Sequence, residues 1–346
     1  MRMTSTRSRN ALARRTIRVA ATVTAAAVIG SLSLWSLSIP SPAAIRIDST
    51  PERLARGRQM FNLGHCDVCH STRDFSRFNG PVAPGGTGAG LVFPKRLVPV
   101  GRVTVPNITP DRDTGIALWT DGEKVRAIRE GFHRSGRKLT PVMPYEDFRG
   151  MSDLDVYSLV AYLNSLPPVR NQVPPSEFDF RTRMFFRISM LRDNLRGRAG
   201  GVPEPDRSDP VKYGAYLVAI GQCRGCHGED LAGGNELNEA PDAVVVSANI
   251  TPDVQTGIGS WSEDSFVARF HAYREYLDKG SPVVPPDRQT PMPWLSLCQL
   301  DTAELRAIHA FLRSQPPVHR KVAPSNTPNA RFAGGAGTSV PERIEP

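Results

Sequence analysis

Two short stretches of the sequence place cysteine and histidine in the same pattern. The C-x-x-C-H motif is formed by Cys66, Cys69 and His70, and again by Cys223, Cys226 and His227. This pattern is typical of c-type haem attachment. The two thiols add to the two vinyl groups of one haem, and the following histidine is placed to bind the iron. The motifs therefore predict two covalently bound haem c groups.

A C-x-x-C pair alone also occurs in dithiol redox sites and in zinc sites. A zinc site would need ligands from two pairs that lie far apart in the chain. Haem attachment is therefore the favoured interpretation. The fifth cysteine, Cys298, has no counterpart in this pattern and is predicted to be a buried, unreactive thiol.

A methionine in each half of the chain is predicted to bind the other face of each iron. Met143 in TPVMPYEDF and Met292 in TPMPWLSL both precede proline, shortly before a predicted helix. A thioether at this position fills the coordination sphere and raises the reduction potential, as in electron carriers. The alternative is that each methionine only fills a gap in the core.

Other histidines and methionines are weaker candidates for this sixth position. They are His65, His133, His271, His309, Met184 and Met190. The first lies too close to the attachment turn, and it aligns with Gln222, so we interpret it as incidental. The other histidines lie on or near predicted helices, and the two methionines have no counterparts in the other half.

An internal repeat divides the chain into two similar parts. GRQMFNLGHCDVCH (57–70) aligns with GAYLVAIGQCRGCH (214–227), NITPDRDTGIALW (107–119) with NITPDVQTGIGSW (249–261), and 151–169 with 300–318. We predict a first copy at 46–169, a linker at 170–208, a second copy at 209–320 and a disordered tail at 321–346.

Both copies are predicted to be helical. A helix leads into each C-x-x-C-H motif, and the last helix of each copy begins at a capping-box-like pattern, Ser152-x-x-Asp155 or Asp301-x-x-Glu304. The stretch VGRVTV (100–105) is at most a short hairpin piece.

The glycine-rich stretch GGTGAG (85–90) does not open a strand–helix–strand unit, so the sequence does not favour a dinucleotide loop. We interpret it as flexible chain beside the haem.

Positive charge is concentrated in two segments of the chain. The net charge is +9, and six arginines in 1–18 precede an uncharged apolar run at 19–39. This is typical of a signal peptide or a membrane anchor, assigned to 1–45. The second segment, 180–198, mixes arginines with aromatic residues. It is either a linker helix packed across both copies or a docking surface for a partner enzyme or anionic lipid. The remainder is near neutral, which excludes a basic nucleic-acid-binding surface.

The order of motifs resembles a known family. The first copy contains, in this order, C-x-x-C-H, NITPD-x-x-TGI-x-x-W, M-P and a helix ending in LPPV. This order resembles that of the cytochrome c subunits of bacterial membrane-bound alcohol and gluconate dehydrogenases, and that of di-haem c-553-type cytochromes. The resemblance covers about residues 50–320. It implies an all-α fold of two tandem class I cytochrome c-like domains. It also implies that His70 with Met143, and His227 with Met292, are axial ligands of the two irons.

The function implied is that of an exported di-haem electron carrier with no catalytic residues of its own. It would take electrons from a partner dehydrogenase and pass them to a respiratory acceptor, an oxidase or another cytochrome. Its expected location is the periplasmic side of the bacterial inner membrane, anchored or soluble. The enzyme alternatives are a di-haem peroxidase, which needs one open iron, and a thiosulfate-oxidising di-haem enzyme, for which Cys298 is the signal.

Overall fold

A computed structural model of the chain describes residues 42–93, 101–194, 200–237, 243–285, 289–322 and 327–328. The predicted signal or anchor run at 19–39, and most of the predicted tail, lie outside these residues. The described chain is rich in helices and its strands are short, in agreement with the helical prediction.

Five helices recur in the same order in both copies. The first copy contains α1 (Pro51–Leu63), α2 (Cys66–His70), α3 (Asp121–Glu130), α4 (Tyr145–Phe148) and α5 (Asp153–Ser165). The linker contains α6 (Phe180–Asn194). The second copy contains α7 (Pro210–Ile220), α8 (Cys223–His227), α9 (Glu263–His271), α10 (Arg274–Lys279), α11 (Trp294–Leu297) and α12 (Thr302–Ser314). Helix α10 has no helical counterpart among the described residues of the first copy.

Short antiparallel strands tie the loops together. They are β1 (Leu91–Val92), β2 (Gly101–Arg102), β3 (Thr104–Val105), β4 (Glu177–Phe178), β5 (Glu236–Leu237), β6 (Ala243–Val246) and β7 (Thr327–Pro328). Strand β1 pairs with β3, β2 with β4, and β6 lies between β5 and β7. The stretch predicted as a hairpin piece at 100–105 contains β2 and β3, but these two strands pair with β4 and β1 and not with each other.

In each copy, the first and last helices pack closely against each other. Helix α1 packs on α5, and α7 packs on α12. A Cβ atom on Gly57 would lie 2.0 Å from the Ser158 carbonyl oxygen, and one on Gly214 would lie 1.9 Å from the Ala307 carbonyl oxygen. Because only glycine permits such backbone contact, these two aligned residues set the distance between the helices on which each copy is built.

The final helix of each copy begins at the predicted cap. The Ser152 side chain accepts a hydrogen bond from the Asp155 backbone N–H, and Asp301 forms a complete capping box with Glu304. These caps satisfy backbone donors that a helix start otherwise leaves unpaired.

The two copies meet at a buried polar junction around Arg56. The guanidinium of Arg56, on α1, donates to both carboxylate oxygens of Asp155 at 2.6 and 3.0 Å, and it also bonds Glu304 of the second copy. Tyr216 of the second copy donates its hydroxyl to Asp155 at 2.5 Å. Arg56 is 9% exposed and both carboxylates are buried, so this junction joins the copies away from solvent.

The linker helix α6 presents apolar side chains to solvent. Phe180, Phe185 and Ile188 are 76%, 64% and 63% exposed. These three side chains are not buried against either copy. Within the described ranges, no helix combines the length and the apolar character that crossing a membrane requires.

Candidate haem attachment sites

The two attachment motifs fold into matching short helices. In both, the residue before the first cysteine adopts the left-handed conformation, with φ of 54° at His65 and 53° at Gln222. This reverses the chain between α1 and α2, and between α7 and α8. Cys66, Cys69 and Cys223 are half-buried, whereas Cys226 is exposed. Both cysteine pairs are therefore presented at the edge of the core.

The motif histidines are oriented by backbone carbonyl groups. His70 Nδ1 lies 2.8 Å from the Pro106 oxygen, and His227 Nδ1 lies 2.7 Å from the Ala248 oxygen. Since a carbonyl oxygen can only accept, Nδ1 carries the proton and Nε2 is the nitrogen with a free lone pair. Histidines that bind metals are commonly held in this way.

Burial keeps both imidazoles neutral near pH 7. His70 and His227 are each 8% exposed. Burial lowers the pKa of His70 to about 4, against the opposing effect of the Pro106 carbonyl, and it also lowers the pKa of His227. A neutral imidazole with a free Nε2 is the form that binds iron.

The carbonyl that orients each histidine belongs to the residue directly before an N-I-T turn, and this turn holds the carbonyl in place. Asn107 accepts from the Thr109 backbone N–H at 2.9 Å and donates to the Val169 carbonyl at 2.6 Å. Asn249 makes the same two kinds of bond, to Thr251 and Val318. The NITPD motif is thus fastened to the chain just after the last helix. Sequence reasoning missed the carbonyl of the preceding residue, although its position directly before NITPD marks it.

Apolar side chains at matching positions of the two copies lie at the edge of the core. These side chains pack against the core yet remain only partly buried: Cys66, Ile108, Trp119 and Met143 in the first copy, and Cys223, Ile250, Trp261 and Met292 in the second. A large flat apolar group attached to the cysteines would cover these surfaces. Together with the neutral histidines, the residues present fit a haem in each copy.

The thiols are unlike those of a dithiol redox site. Burial raises the pKa of Cys66, and it raises the pKa of Cys223 to about 12. Reactive dithiol pairs have lowered thiol pKa values, because the thiolate is the nucleophile. Within the described ranges, no three His, Cys, Asp or Glu side chains come together as a metal-ion site, so the two cysteine pairs do not converge on one zinc ion.

The two predicted methionine ligands occupy equivalent turns. Met143 lies just before α4, and Met292 just before α11. The backbone N–H of Tyr145 donates to the Met143 carbonyl at 2.8 Å, and that of Trp294 donates to the Met292 carbonyl at the same distance. The turns therefore agree in backbone geometry as well as in sequence.

The rival histidines have other partners. His133 Nδ1 lies 2.8 Å from the Ser135 hydroxyl, and its ring packs on Trp119. His271 Nε2 lies 3.3 Å from the Leu300 carbonyl. His309 packs on the Phe266 ring, with centroids 5.1 Å apart.

His65 was predicted to be incidental, but the structure gives it a contact between the copies. Its Nε2 lies 3.1 Å from the Gly221 carbonyl oxygen, two residues before Cys223. The two attachment motifs are therefore neighbours in space. The repeat could not show this, because the contact joins His65 to a backbone oxygen of the other copy.

Cys298 is a buried thiol, as predicted. It is fully buried, and its Sγ lies 3.4 Å from the Leu295 carbonyl oxygen. Burial raises the pKa of this thiol to about 11. A protonated, inaccessible thiol does not favour the thiosulfate-oxidising alternative.

The glycine-rich stretch, predicted to be flexible, forms ordered turns beside the first motif. Gly90 donates its N–H to the His70 carbonyl at 2.6 Å, and the Gly88 carbonyl accepts from Ile108 at 2.8 Å. Gly88 and Gly90 have φ values of 72° and 89°, which side-chain-bearing residues rarely adopt. These glycines permit the close turns that hold the histidine helix against the N-I-T turn.

The amino-acid sequence is similar to those of several characterised proteins. The chain is 34% identical over 279 residues to a subunit of the nicotinate dehydrogenase of Pseudomonas putida, covering 75% of this chain and 21% of that protein. It is 28% identical to the gluconate 2-dehydrogenase cytochrome c subunit of Pantoea cypripedii, covering 69% of this chain and 54% of the relative. A diheme cytochrome c-type protein of Cereibacter sphaeroides is 28% identical, with 84% of this chain and 95% of the relative covered. No family model matches the chain.

Cytochrome subunits of quinone-dependent alcohol dehydrogenases and of a fructose dehydrogenase are also similar, at 27–29% identity. The chain spans about half the length or less of the nicotinate, gluconate and Gluconobacter oxydans alcohol dehydrogenase subunits it matches. The resemblance predicted from the motifs, to cytochrome c subunits of dehydrogenases and to di-haem cytochromes, is confirmed.

Proposed function

We propose that this protein is an exported di-haem cytochrome c that transfers electrons between a partner dehydrogenase and a respiratory acceptor. One haem is attached to Cys66 and Cys69, with His70 and Met143 as axial ligands. The other is attached to Cys223 and Cys226, with His227 and Met292 as axial ligands. When bound, each haem supplies a one-electron redox couple, and the chain does no bond-making chemistry of its own.

The observation that carries this proposal is the repeated histidine geometry. Each motif histidine is buried and neutral, with Nδ1 directed at a carbonyl and Nε2 free. A structural histidine needs no such arrangement twice, at aligned positions directly after a cysteine pair. The relatives named as cytochrome subunits support electron transfer rather than substrate oxidation as the role of the chain.

Spectroscopy of single variants tests the ligand assignment. We expect two haems c per chain in the wild type. Met143→Ala and Met292→Ala are each expected to remove half of the sulfur–iron absorption band, while both haems stay attached. His133→Ala serves as the control, and its band should be unchanged. A wild-type protein that binds cyanide readily or turns over peroxide rapidly would instead favour the peroxidase alternative.

The domain organisation belongs to the same proposal. Residues 46–169 and 209–320 form two class I cytochrome c-like domains, 170–208 is the linker, and 1–45 is a signal peptide or anchor that directs the protein to the periplasmic side of the inner membrane. The repeated order of helices and the equivalent crossings at Gly57 and Gly214 support it. Protein sequencing of the mature N-terminus, with fractionation of periplasm and membrane, tests the assignment.

Helix α6 is the surface proposed to bind the partner dehydrogenase. Its exposed Phe180, Phe185 and Ile188 stand beside Arg181 and Arg183. Aromatic residues and arginine are enriched at protein–protein interfaces, where they provide much of the binding energy. Affinity purification from detergent-solubilised membranes, with wild type and Phe185→Ser compared, is expected to recover a dehydrogenase with the wild type only. Equal recovery with both proteins would show that the dehydrogenase binds elsewhere.

A further inference from the structure

A loop of the first copy lies against the methionine turn of the second copy. We refer to this loop, residues 74–80, as the bracing loop. Phe78 donates its backbone N–H to the Pro282 carbonyl at 2.8 Å, and Arg77 donates Nη1 to the Ser281 carbonyl at 2.7 Å. The bracing loop therefore lies alongside the segment that precedes the Met292 turn.

Asn79 makes the central contacts between this loop and the turn. Its Nδ2 group donates to the Met292 carbonyl at 2.8 Å and to the Thr290 carbonyl at 3.1 Å, and its Oδ1 atom accepts from the Leu295 backbone N–H at 3.0 Å. The side chain thus bonds the backbone on both sides of Met292. Asn79 is 5% exposed, so these bonds are shielded from competing water.

The conformation of Asn79 suits this role. Its φ is 58°, in the left-handed region that asparagine tolerates better than most residues. Gln289, from the second copy, accepts from the Asn79 backbone N–H at 3.0 Å and donates to the Phe75 and Arg77 carbonyls at 3.2 and 2.8 Å. Each segment therefore bonds the other through an amide side chain.

Aromatic packing adds a second connection between the bracing loop and the turn. The Phe78 ring stacks on Tyr273, with centroids 5.6 Å apart, and Tyr273 stacks on Trp294 at 4.7 Å. Trp294 is two residues after Met292. Aromatic pairs of this kind contribute beyond their buried area.

The first copy holds its own methionine turn differently. Met143 donates its backbone N–H to the Thr140 carbonyl at 3.1 Å, and the Lys138 ammonium lies 4.3 Å from the centre of the Tyr145 ring. All these residues belong to the first copy. The contacts of Asn79 with the Met292 turn, by contrast, join the two copies.

We infer that Asn79 is a positioning residue that holds Met292 for the iron of the second haem. Three hydrogen bonds from one buried side chain keep the Met292 backbone in place, so the thioether does not have to be ordered when it binds iron. The second haem then depends on the first copy for its sixth ligand. This inference rests on the ligand assignment under the proposed function.

Asn79→Asp tests the inference with little change of shape. Aspartate also tolerates the left-handed conformation, but its carboxylate oxygen would face the Met292 and Thr290 carbonyls, where asparagine donates. The variant is made in Met143→Ala protein, so that the remaining sulfur–iron band reports Met292 alone. We expect Asn79→Asp to remove most of that band and to raise the cyanide affinity of the second haem about tenfold, the order of one net hydrogen bond.

Asn171→Asp in the same background is the matched control. Asn171 also donates its amide to a backbone carbonyl, that of Ala89 at 2.8 Å, away from the Met292 turn. It should leave the band and the cyanide affinity unchanged. An Asn79→Asp variant with an unchanged band would overturn the inference, as would equal losses in both variants.

A milder variant covers the case in which Asn79→Asp fails to fold. Gln289→Met removes the bonds to the bracing loop from a half-buried position, and we expect about a threefold rise in cyanide affinity, with haem content unchanged. An unchanged affinity would again overturn the inference. If Met292→Ala alone leaves the band intact in otherwise native protein, the ligand assignment itself fails, and that outcome is distinct from failure of the bracing role.

Discussion

Replacing Arg56 by methionine should destabilise the protein strongly, because Arg56 neutralises two buried carboxylates from different copies. Burial by itself lowers the pKa of Arg56, but the hydrogen bond and charge of Asp155 outweigh burial and hold the pKa above its ordinary value. The arginine is therefore charged at every accessible pH. Methionine has a similar length and fills much of the same volume, so the variant removes charge and hydrogen bonds rather than packing.

The magnitude follows from what Arg56→Met leaves behind. Asp155 loses two hydrogen bonds, at 2.6 and 3.0 Å, and Glu304 loses one. Removing one member of a buried ion pair typically costs about 3–5 kcal/mol, because the remaining charge stays buried and unpaired. We expect the free energy of unfolding to fall by about this amount near neutral pH.

The loss should depend on pH. Burial raises the pKa of Glu304, against the opposing attraction of Arg56, so removal of Arg56 raises this pKa further. A carboxyl whose folded-state pKa exceeds its unfolded pKa favours folding below the unfolded pKa, and this contribution is lost as pH rises through the folded pKa. The destabilisation by Arg56→Met should therefore be larger at about pH 8 than at about pH 5.

Urea unfolding of the holoprotein, followed by far-UV circular dichroism, measures the effect. Arg306→Met is the matched control, since Arg306 also bonds two carboxylates, Glu263 at 2.9 Å and Asp264 at 3.1 Å, but is about half exposed. Exposed pairs contribute about 0–1 kcal/mol. The assigned role of the buried junction is wrong if Arg56→Met lowers the free energy of unfolding by no more than Arg306→Met does. It is also wrong if the destabilisation by Arg56→Met grows as the pH falls.

Three further predictions concern packing, the N-I-T turn and the linker. Gly57→Ala should lower the free energy of unfolding by about 1–3 kcal/mol or more, since its Cβ would overlap the α5 backbone, whereas Gly150→Ala, with open space around it, should stay within about 0.5 kcal/mol in the same urea titration. Asn107→Ala should lower the free energy of unfolding by about 1–3 kcal/mol, because the buried backbone N–H of Thr109 loses its acceptor. The same variant should shift the midpoint potential of one haem in a redox titration. An unchanged potential would show that the N-I-T turn does not control the orientation of His70. Phe185→Ser should leave the free energy of unfolding within about 0.5 kcal/mol of wild type while weakening dehydrogenase capture, and a large loss of stability would mean that α6 packs on the body of the protein.

Features that depend on neighbouring residues in the chain could be predicted from the sequence. The attachment turns need two cysteines and a histidine at fixed spacing. The last helices begin after Ser152 and Asp301, because a short polar side chain can accept a hydrogen bond from the backbone N–H three residues later. The repeat then extended these local assignments from one copy to the other. The glycine-rich stretch at 85–90 was misjudged, because composition cannot distinguish a flexible chain from glycines required by tight turns.

Contacts between distant residues were decided by the tertiary structure alone. The carbonyl of Pro106 orients His70, and Asn79 holds the turn of Met292, yet a backbone oxygen has no signature in the sequence and an asparagine in a loop has many uses. The Arg56 junction likewise required two copies to meet in one relative orientation. The amino-acid sequence by itself determined which residues could attach and bind a haem. Only the tertiary structure determined how those residues are oriented, because orientation comes from groups that are distant in the chain and adjacent in space.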